Sequence, residues 1–157
     1  MGKTDLRIPA IDPASVEVRH GSAYPEEFQA VAAGRQKQAL GNAAGLTHFG
    51  VNLVRLTPGA ASALRHWHKH EFVYVLEGEL TLITDAGEQV LTPSLAAGFP
   101  AGVPDGHYLV NKTDKDALYL EIGDRHPEEE AHYPDDDLHV RRSGGAFTFT
   151  RKDGSAI

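Results

Sequence analysis

Apolar and polar residues alternate with a period of two through the middle of the chain. The segments HFGVNLVRLT (48–57), LRHWH (64–68), EFVYVLE (71–77), ELTLIT (79–84), EQVLT (88–92), HYLVN (107–111) and ALYLEI (117–122) are rich in β-branched or aromatic residues, and each predicts a strand. Turn signals bound them: Pro58-Gly59, Lys69-His70, Gly78, Asp85-Ala86-Gly87, Pro93, the stretch from Gly98 to Gly106, and Lys112 to Asp116. Short strands at near-regular spacing, with no βαβ alternation, predict an all-β sandwich or barrel with mostly antiparallel pairing. Residues 1–24 read as an arm broken by Pro9 and Pro13, with VEVR (16–19) alternating like a short strand. A short helix is predicted from Pro25 to about Ala33, with Glu26 and Glu27 in its first turn and Gly34 as its stop. GNAAG (41–45) predicts a loop, the acidic stretch from His126 to Asp137 a polar loop or wrap, and AFTFTR (146–151) a last strand before a turn at Asp153-Gly154. The expected organisation is an N-terminal arm with a short helix over 1–45, a barrel over 46–123, and an extension over 124–157 packing on it.

Composition narrows the class. A chain of 157 residues suits one domain, and 41% apolar content can fill one core. Acidic residues outnumber lysine and arginine by 22 to 15, a net charge of −7. Such a body disfavours nucleic acid and anionic membrane as partners, since both select clustered positive charge. The absence of cysteine excludes disulfides, thiolate nucleophiles and cysteine-ligated zinc. No apolar run approaches the roughly 18 residues of a membrane span, and the start lacks an apolar signal core. The expectation is a soluble, cytoplasmic protein.

Nine histidines stand out. His20, His48, His126, His132 and His139 lie in arms, loops or strand ends without ligand-like spacing, and read as ordinary surface or hydrogen-bonding residues. The run His66-Trp67-His68-Lys69-His70-Glu71 differs. Residues two apart on a strand share a face, so His66 and His68 project together and Trp67 projects away. If Lys69-His70 forms a two-residue hairpin loop, His68 pairs with Glu71 and all three side chains converge. Two imidazoles and a carboxylate are good ligands for a first-row transition metal. His107, opening a strand after a Gly- and Pro-rich turn, is the best candidate for a fourth ligand. His70 competes with Glu71, because a side chain in a turn can swing inward.

These residues resemble the cupin family. Its first motif (a glycine, a His-x-His pair, a glutamate, and a glycine seven positions later) is matched by Gly59, His66, His68, Glu71 and Gly78. Its second motif is matched by Pro100, Gly102, His107 and Asn111. The resemblance covers roughly residues 46–123 and implies an antiparallel double-stranded β-helix, the jelly-roll barrel, with His66, His68, Glu71 and His107 as metal ligands. The sequence departs from the pattern in a shorter His68–Glu71 loop, a longer Gly102–His107 gap, and Ser94-Leu95 where the family has glycine-aspartate. The phrases VYVLEGEL and AAGFPAGVPDGHYLVN look like a bacterial subgroup of single-domain cupins, loosely described as sugar-phosphate-isomerase-like.

With four protein ligands an octahedral divalent ion keeps two positions for a bidentate oxygen ligand such as a hydroxy-ketone, and acts as a Lewis acid. Zinc, manganese, iron, nickel and copper all tolerate this ligand set. The expected function is a metal-dependent enzyme of isomerase or dioxygenase type on a small polar or anionic metabolite; the alternative is a non-catalytic small-molecule or sugar-binding sensor. Tyr119, Glu121 and Tyr108 are the candidate proton-transfer groups, and Arg55 is a candidate contact for an anionic substrate. Trp67, Phe72 and Tyr74 fall on the face opposite the ligands and are expected under the arm or against a second subunit, favouring a homodimer.

Overall fold

The computed structural model describes residues 5–157, so the first four residues of the predicted arm lie outside it. Its strands are β1 (Arg19–His20), β2 (Arg35–Ala39), β3 (Phe49–Leu56), β4 (Glu71–Glu77), β5 (Leu80–Thr84), β6 (Gly87–Leu91), β7 (Ala96–Phe99), β8 (Tyr108–Val110), β9 (Ala117–Asp124), β10 (Glu129–His132), β11 (His139–Ser143) and β12 (Ala146–Thr150). Every described pair is antiparallel. One six-stranded sheet has the order β1-β2-β3-β9-β4-β7; the others are β6-β5-β8 and β10-β11-β12. The segment 61–67 joins these two smaller sheets through bridges from Ala61 to Val110, His66 to His107 and Trp67 to His132. The result is the expected all-β jelly roll, one wall facing another.

Alternation dictates the core. Inward residues of β3, β4, β5, β8 and β9 (Val54, Leu56, Val73, Val75, Leu80, Leu82, Leu109 and Tyr119) are buried together between the walls. A second cluster, Ala131, Tyr133, Leu138 and Val140, lies beneath β10–β12 and packs on Tyr24, Phe28, Leu64 and Phe149. This cluster ties the C-terminal sheet to the region before β2 and to Leu64.

Two turns show why particular residues stand where they do. Gly78 has φ +75°, and a Cβ there would lie 2.6 Å from the Asp116 carbonyl oxygen. Only glycine accepts both the dihedral and the approach. Ser94, standing where the cupin pattern has glycine, also adopts positive φ, 76°.

Several expectations are corrected. The helix from Pro25 forms as a 3-10 helix over Glu26–Ala32, and GNAAG contributes to a helical turn, α1 (Leu40–Ala43), rather than a loop. The VEVR strand shrinks to Arg19–His20. Residues 35–39, read as part of the arm, become β2 of the main sheet. The acidic stretch contains β10, and the turn expected from Gly98 starts later because Ala96–Phe99 pairs with β4. No His68–Glu71 hairpin forms. His66 and Trp67 bridge to the other wall, while Glu71 pairs with Phe99 and Gly123, so the chain crosses between sheets at Lys69-His70.

Candidate metal centre

That crossing is what brings the ligand-type side chains together. His66 and His68 point inward from one wall, and Glu71 points inward from the first residue of β4 on the other. His107 enters from the segment preceding β8, bridged directly to His66. The ligand atoms of His66, Glu71 and His107 all lie within 4.8 Å of one another. Glu71 Oε2 is 3.0 Å from both His68 Nε2 and His107 Nε2. The sequence-level convergence therefore occurs, through a crossover between sheets rather than a hairpin.

Neighbouring groups orient the rings. His66 Nδ1 donates to the Leu64 carbonyl at 2.7 Å, which leaves Nε2 as the acceptor nitrogen. His107 Nδ1 is held 3.4 Å from the Asp105 carbonyl, and its ring stacks on Phe99 with centroids 3.5 Å apart and planes 3° from parallel. The His66 and His68 rings stack at 4.8 Å. Such outer contacts fix tautomer and direction as they do around metal-bound imidazoles. Two imidazoles and a carboxylate gathered within 4.8 Å are a donor set whose chemistry suits a divalent ion on His66, Glu71 and His107. His68 is at the margin of the group: its Nδ1 lies 3.3 Å from Glu129 Oε1 and has no hydrogen-bond partner among the described residues.

Electrostatics follow from enclosure. Burial drives the His66 imidazole down to about 4, so it is neutral and ready to ligate near pH 7. Burial also disfavours charge on His68, but the Glu129 and Glu71 carboxylates outweigh it and lift that ring to about 10. Burial would raise the Glu71 carboxyl, yet hydrogen bonds from His107 and His68 hold it well below the usual carboxylate range. His70 stands outside this group: the residue is exposed, and Nδ1 accepts the Ala101 N–H at 3.0 Å.

The cluster opens into a cavity of about 250 Å3 lined by His66, His68, Glu71, Glu121, Arg35 and Lys37, among others. This is smaller than the roughly 300 Å3 at which pockets for drug-sized ligands begin, and suits a small metabolite. Glu121 reaches it from β9 and pairs with Lys37 Nζ at 3.2 Å. Tyr119 lies one inward position along β9, fully buried, with no hydrogen-bond partner for its hydroxyl among the described residues. Burial, with Glu121 and Glu71 nearby, pushes this phenol well up, so it stays protonated. Tyr108 alternates with inward His107 and Leu109, faces away, and does not line the cavity. Arg55 also points outward, 3.6 Å from Asp116 on the surface.

Sequence reasoning missed Arg35, Lys37 and Glu129. The first two lie on a strand without apolar alternation, and the third in a stretch read as a solvated loop. Trp67 stacks on His132 at 4.1 Å rather than on the arm, whereas Phe72 is 43% exposed on the outer face of β4. His132 and His139 both approach Glu130, and His126 pairs with Asp124; none of these lines the 250 Å3 cavity.

Fold and paired motifs together define a cupin. The family profile described as the cupin domain matches residues 52–123. A structure from Silicibacter pomeroyi, described as a sugar phosphate isomerase from a cupin superfamily, is 50% identical, with a TM-score of 0.92 and 95% and 96% of the two chains covered. This chain belongs to the cupin superfamily. A protein from Acidithiobacillus ferrooxidans, provisionally described as a sugar phosphate isomerase, is 29% identical with a TM-score of 0.71, covering 78% and 80%. The polyketide cyclase RemF from Streptomyces resistomycificus, 19% identical with a TM-score of 0.61 over 73% and 78%, shares the fold. No curated protein matches. Among the described residues no helix is long and apolar enough to cross a membrane.

Proposed function

We propose that this cupin is a metal-dependent isomerase of a small polar metabolite, binding one divalent first-row ion through His66, Glu71 and His107, with His68 as the fourth contact once the ion displaces its proton. The observation that carries this reading is the meeting of three ligand-type side chains within 4.8 Å beside a small cavity that also holds Arg35, Lys37 and Glu121. The resemblance to two proteins described as sugar phosphate isomerases supports the reaction class. A divalent ion at this site supplies a Lewis acid for a carbonyl or hydroxyl oxygen.

The chain's own groups supply the rest. Glu121 is the carboxylate placed to take a proton from the hydroxyl-bearing carbon next to a carbonyl and return it to the former carbonyl carbon, while the hydroxyl proton passes to the neighbouring carbonyl oxygen, which together balance an aldose–ketose shift. Its ion pair with Lys37 holds the carboxylate in place at the cavity wall. The Tyr119 phenol, protonated and fully buried, stands on the same inward face of β9 as Glu121 and backs the cavity wall. Buried apolar residues around it (Val54, Val73 and Val75) keep bulk water from the back of the site.

The test is metal analysis of purified wild type, His66→Ala and Glu71→Gln, followed by turnover of a panel of aldose and ketose phosphates. About one ion per chain in wild type, at least a tenfold fall in affinity in each variant, and interconversion of one sugar pair are expected. Equal metal content in all three proteins rejects the site. Full metal loading without turnover across the panel makes the protein a binding module instead.

A further inference from the structure

The cavity has a second end, built around an arginine that no acid neutralises. Reading across the sheet register, inward rows run Arg35–Leu56–Ala117, then Lys37–Val54–Tyr119, then Asn52–Glu121–Val73, and finally Gly123–Glu71–Phe99. Arg35 is thus at the far side from Glu71, with Lys37, Tyr119 and Glu121 between them. Each acid of the cavity has a cationic or imidazole neighbour: Glu71 faces His68 and His107, Glu129 faces His68, and Glu121 faces Lys37. Arg35 has no carboxylate partner among the described residues. Its Nε and one terminal nitrogen donate to the Gly21 carbonyl at 3.0 and 2.8 Å, and the other donates to the Ser62 carbonyl at 2.7 Å.

Three of the five guanidinium N–H groups are therefore fixed by neutral carbonyls, and one on each terminal nitrogen is unclaimed. Carbonyls orient the fork without cancelling its charge. A cation held in a partly enclosed pocket without a counter-charge is costly unless an anion completes it. Two N–H groups on adjacent nitrogens match the paired oxygens of a carboxylate or phosphate.

We propose that Arg35 is the anchor for an acidic group on the ligand, an oxyanion of carboxylate or phosphate type, while the ligand's hydroxyl or carbonyl end reaches the histidine cluster. Lys37 supports the anion from the next row and is shared with Glu121. This assignment rests on the metal-centre reading for the ligand's other end, but the anion site stands on Arg35 and Lys37 alone. It fixes polarity: the acidic group enters at the β2 side, and the reacting carbons lie past Lys37, beside Glu121.

The test is calorimetric titration of the full chain, metal-loaded and after chelation, with inorganic phosphate and separately with glycolate. The chelated wild type is expected to bind at least one probe; phosphate binding assigns a phosphoryl group, and glycolate binding alone assigns a carboxylate. Arg35→Gln is expected to weaken that binding by about tenfold or more with metal content unchanged. Glu121→Gln, which releases Lys37, is expected to tighten it several-fold. Wild type binding neither probe up to about 10 mM, or Arg35→Gln binding as wild type does, overturns the proposal. Should Arg35→Gln fail to melt cooperatively, Glu121→Gln decides, and unchanged affinity in that variant also overturns it. An absence of metal in wild type alongside intact anion binding would reject the metal centre and leave the anchor standing.

Discussion

Each histidine of the centre is defined by the group behind it. Burial and a carbonyl partner keep His66 neutral down to about 4, whereas an unfolded histidine titrates near 6.5. Between those values the unfolded chain binds the extra proton, so metal-free protein loses stability as pH falls through the window, by up to about 3 kcal/mol. Glu71, held below its ordinary value, acts with the same sign at lower pH. His68 acts oppositely. Burial opposes its charge, but Glu129 and Glu71 raise it to about 10, so its contribution is complete below about 6.5 and disappears toward pH 10. Denaturation of chelated protein across pH is expected to show a maximum near 6.5, and His66→Gln is expected to flatten the limb between 6.5 and 4. An acid limb unchanged in that variant would assign it to other groups.

The strands reveal their turns more readily than their faces. Gly78 and Ser94 both occupy the left-handed region, one with a backbone oxygen 2.6 Å from any added Cβ and the other carrying a side chain. Opposite outcomes follow. Gly78→Ala is expected to cost at least about 2 kcal/mol, and Ser94→Gly to add up to about 1 kcal/mol, both read as shifts of the urea midpoint at constant slope. Strands with an apolar inner face, β3, β4, β5 and β9, were legible because alternation marks them. The strand β2, RQKQA, was not: its inward side chains Arg35 and Lys37 are charged and line the cavity, so no hydrophobic period exists to read. β10 was hidden similarly, with Glu129 inward among acidic neighbours. His66, His68, Glu71 and His107 were legible from spacing and motif. The route joining them was not, because parity says which side a residue faces and leaves open which sheet it belongs to.

At the scale of the whole molecule, the centre ties together parts distant in sequence: the crossover at 66–71, the entry to β8, and β10 through Glu129. An ion bound there stabilises the folded state alone. At a free concentration a thousandfold above Kd the gain is about 4 kcal/mol, or roughly 10 °C in Tm for a chain of this size. Addition of the preferred divalent ion to chelated protein is expected to raise Tm by that order, and Glu71→Gln to abolish the rise; an equal rise in both proteins would place the ion elsewhere.

The inward rows of β2 and β9 carry a wider consequence. Arg35, Lys37 and Glu121 occupy the sites where a sequence selected only for sturdiness would put valine or isoleucine. Three charged side chains on that inner wall give up apolar burial that aliphatic residues would supply. Repairing that wall with aliphatic residues would trade a working vessel for a sealed one.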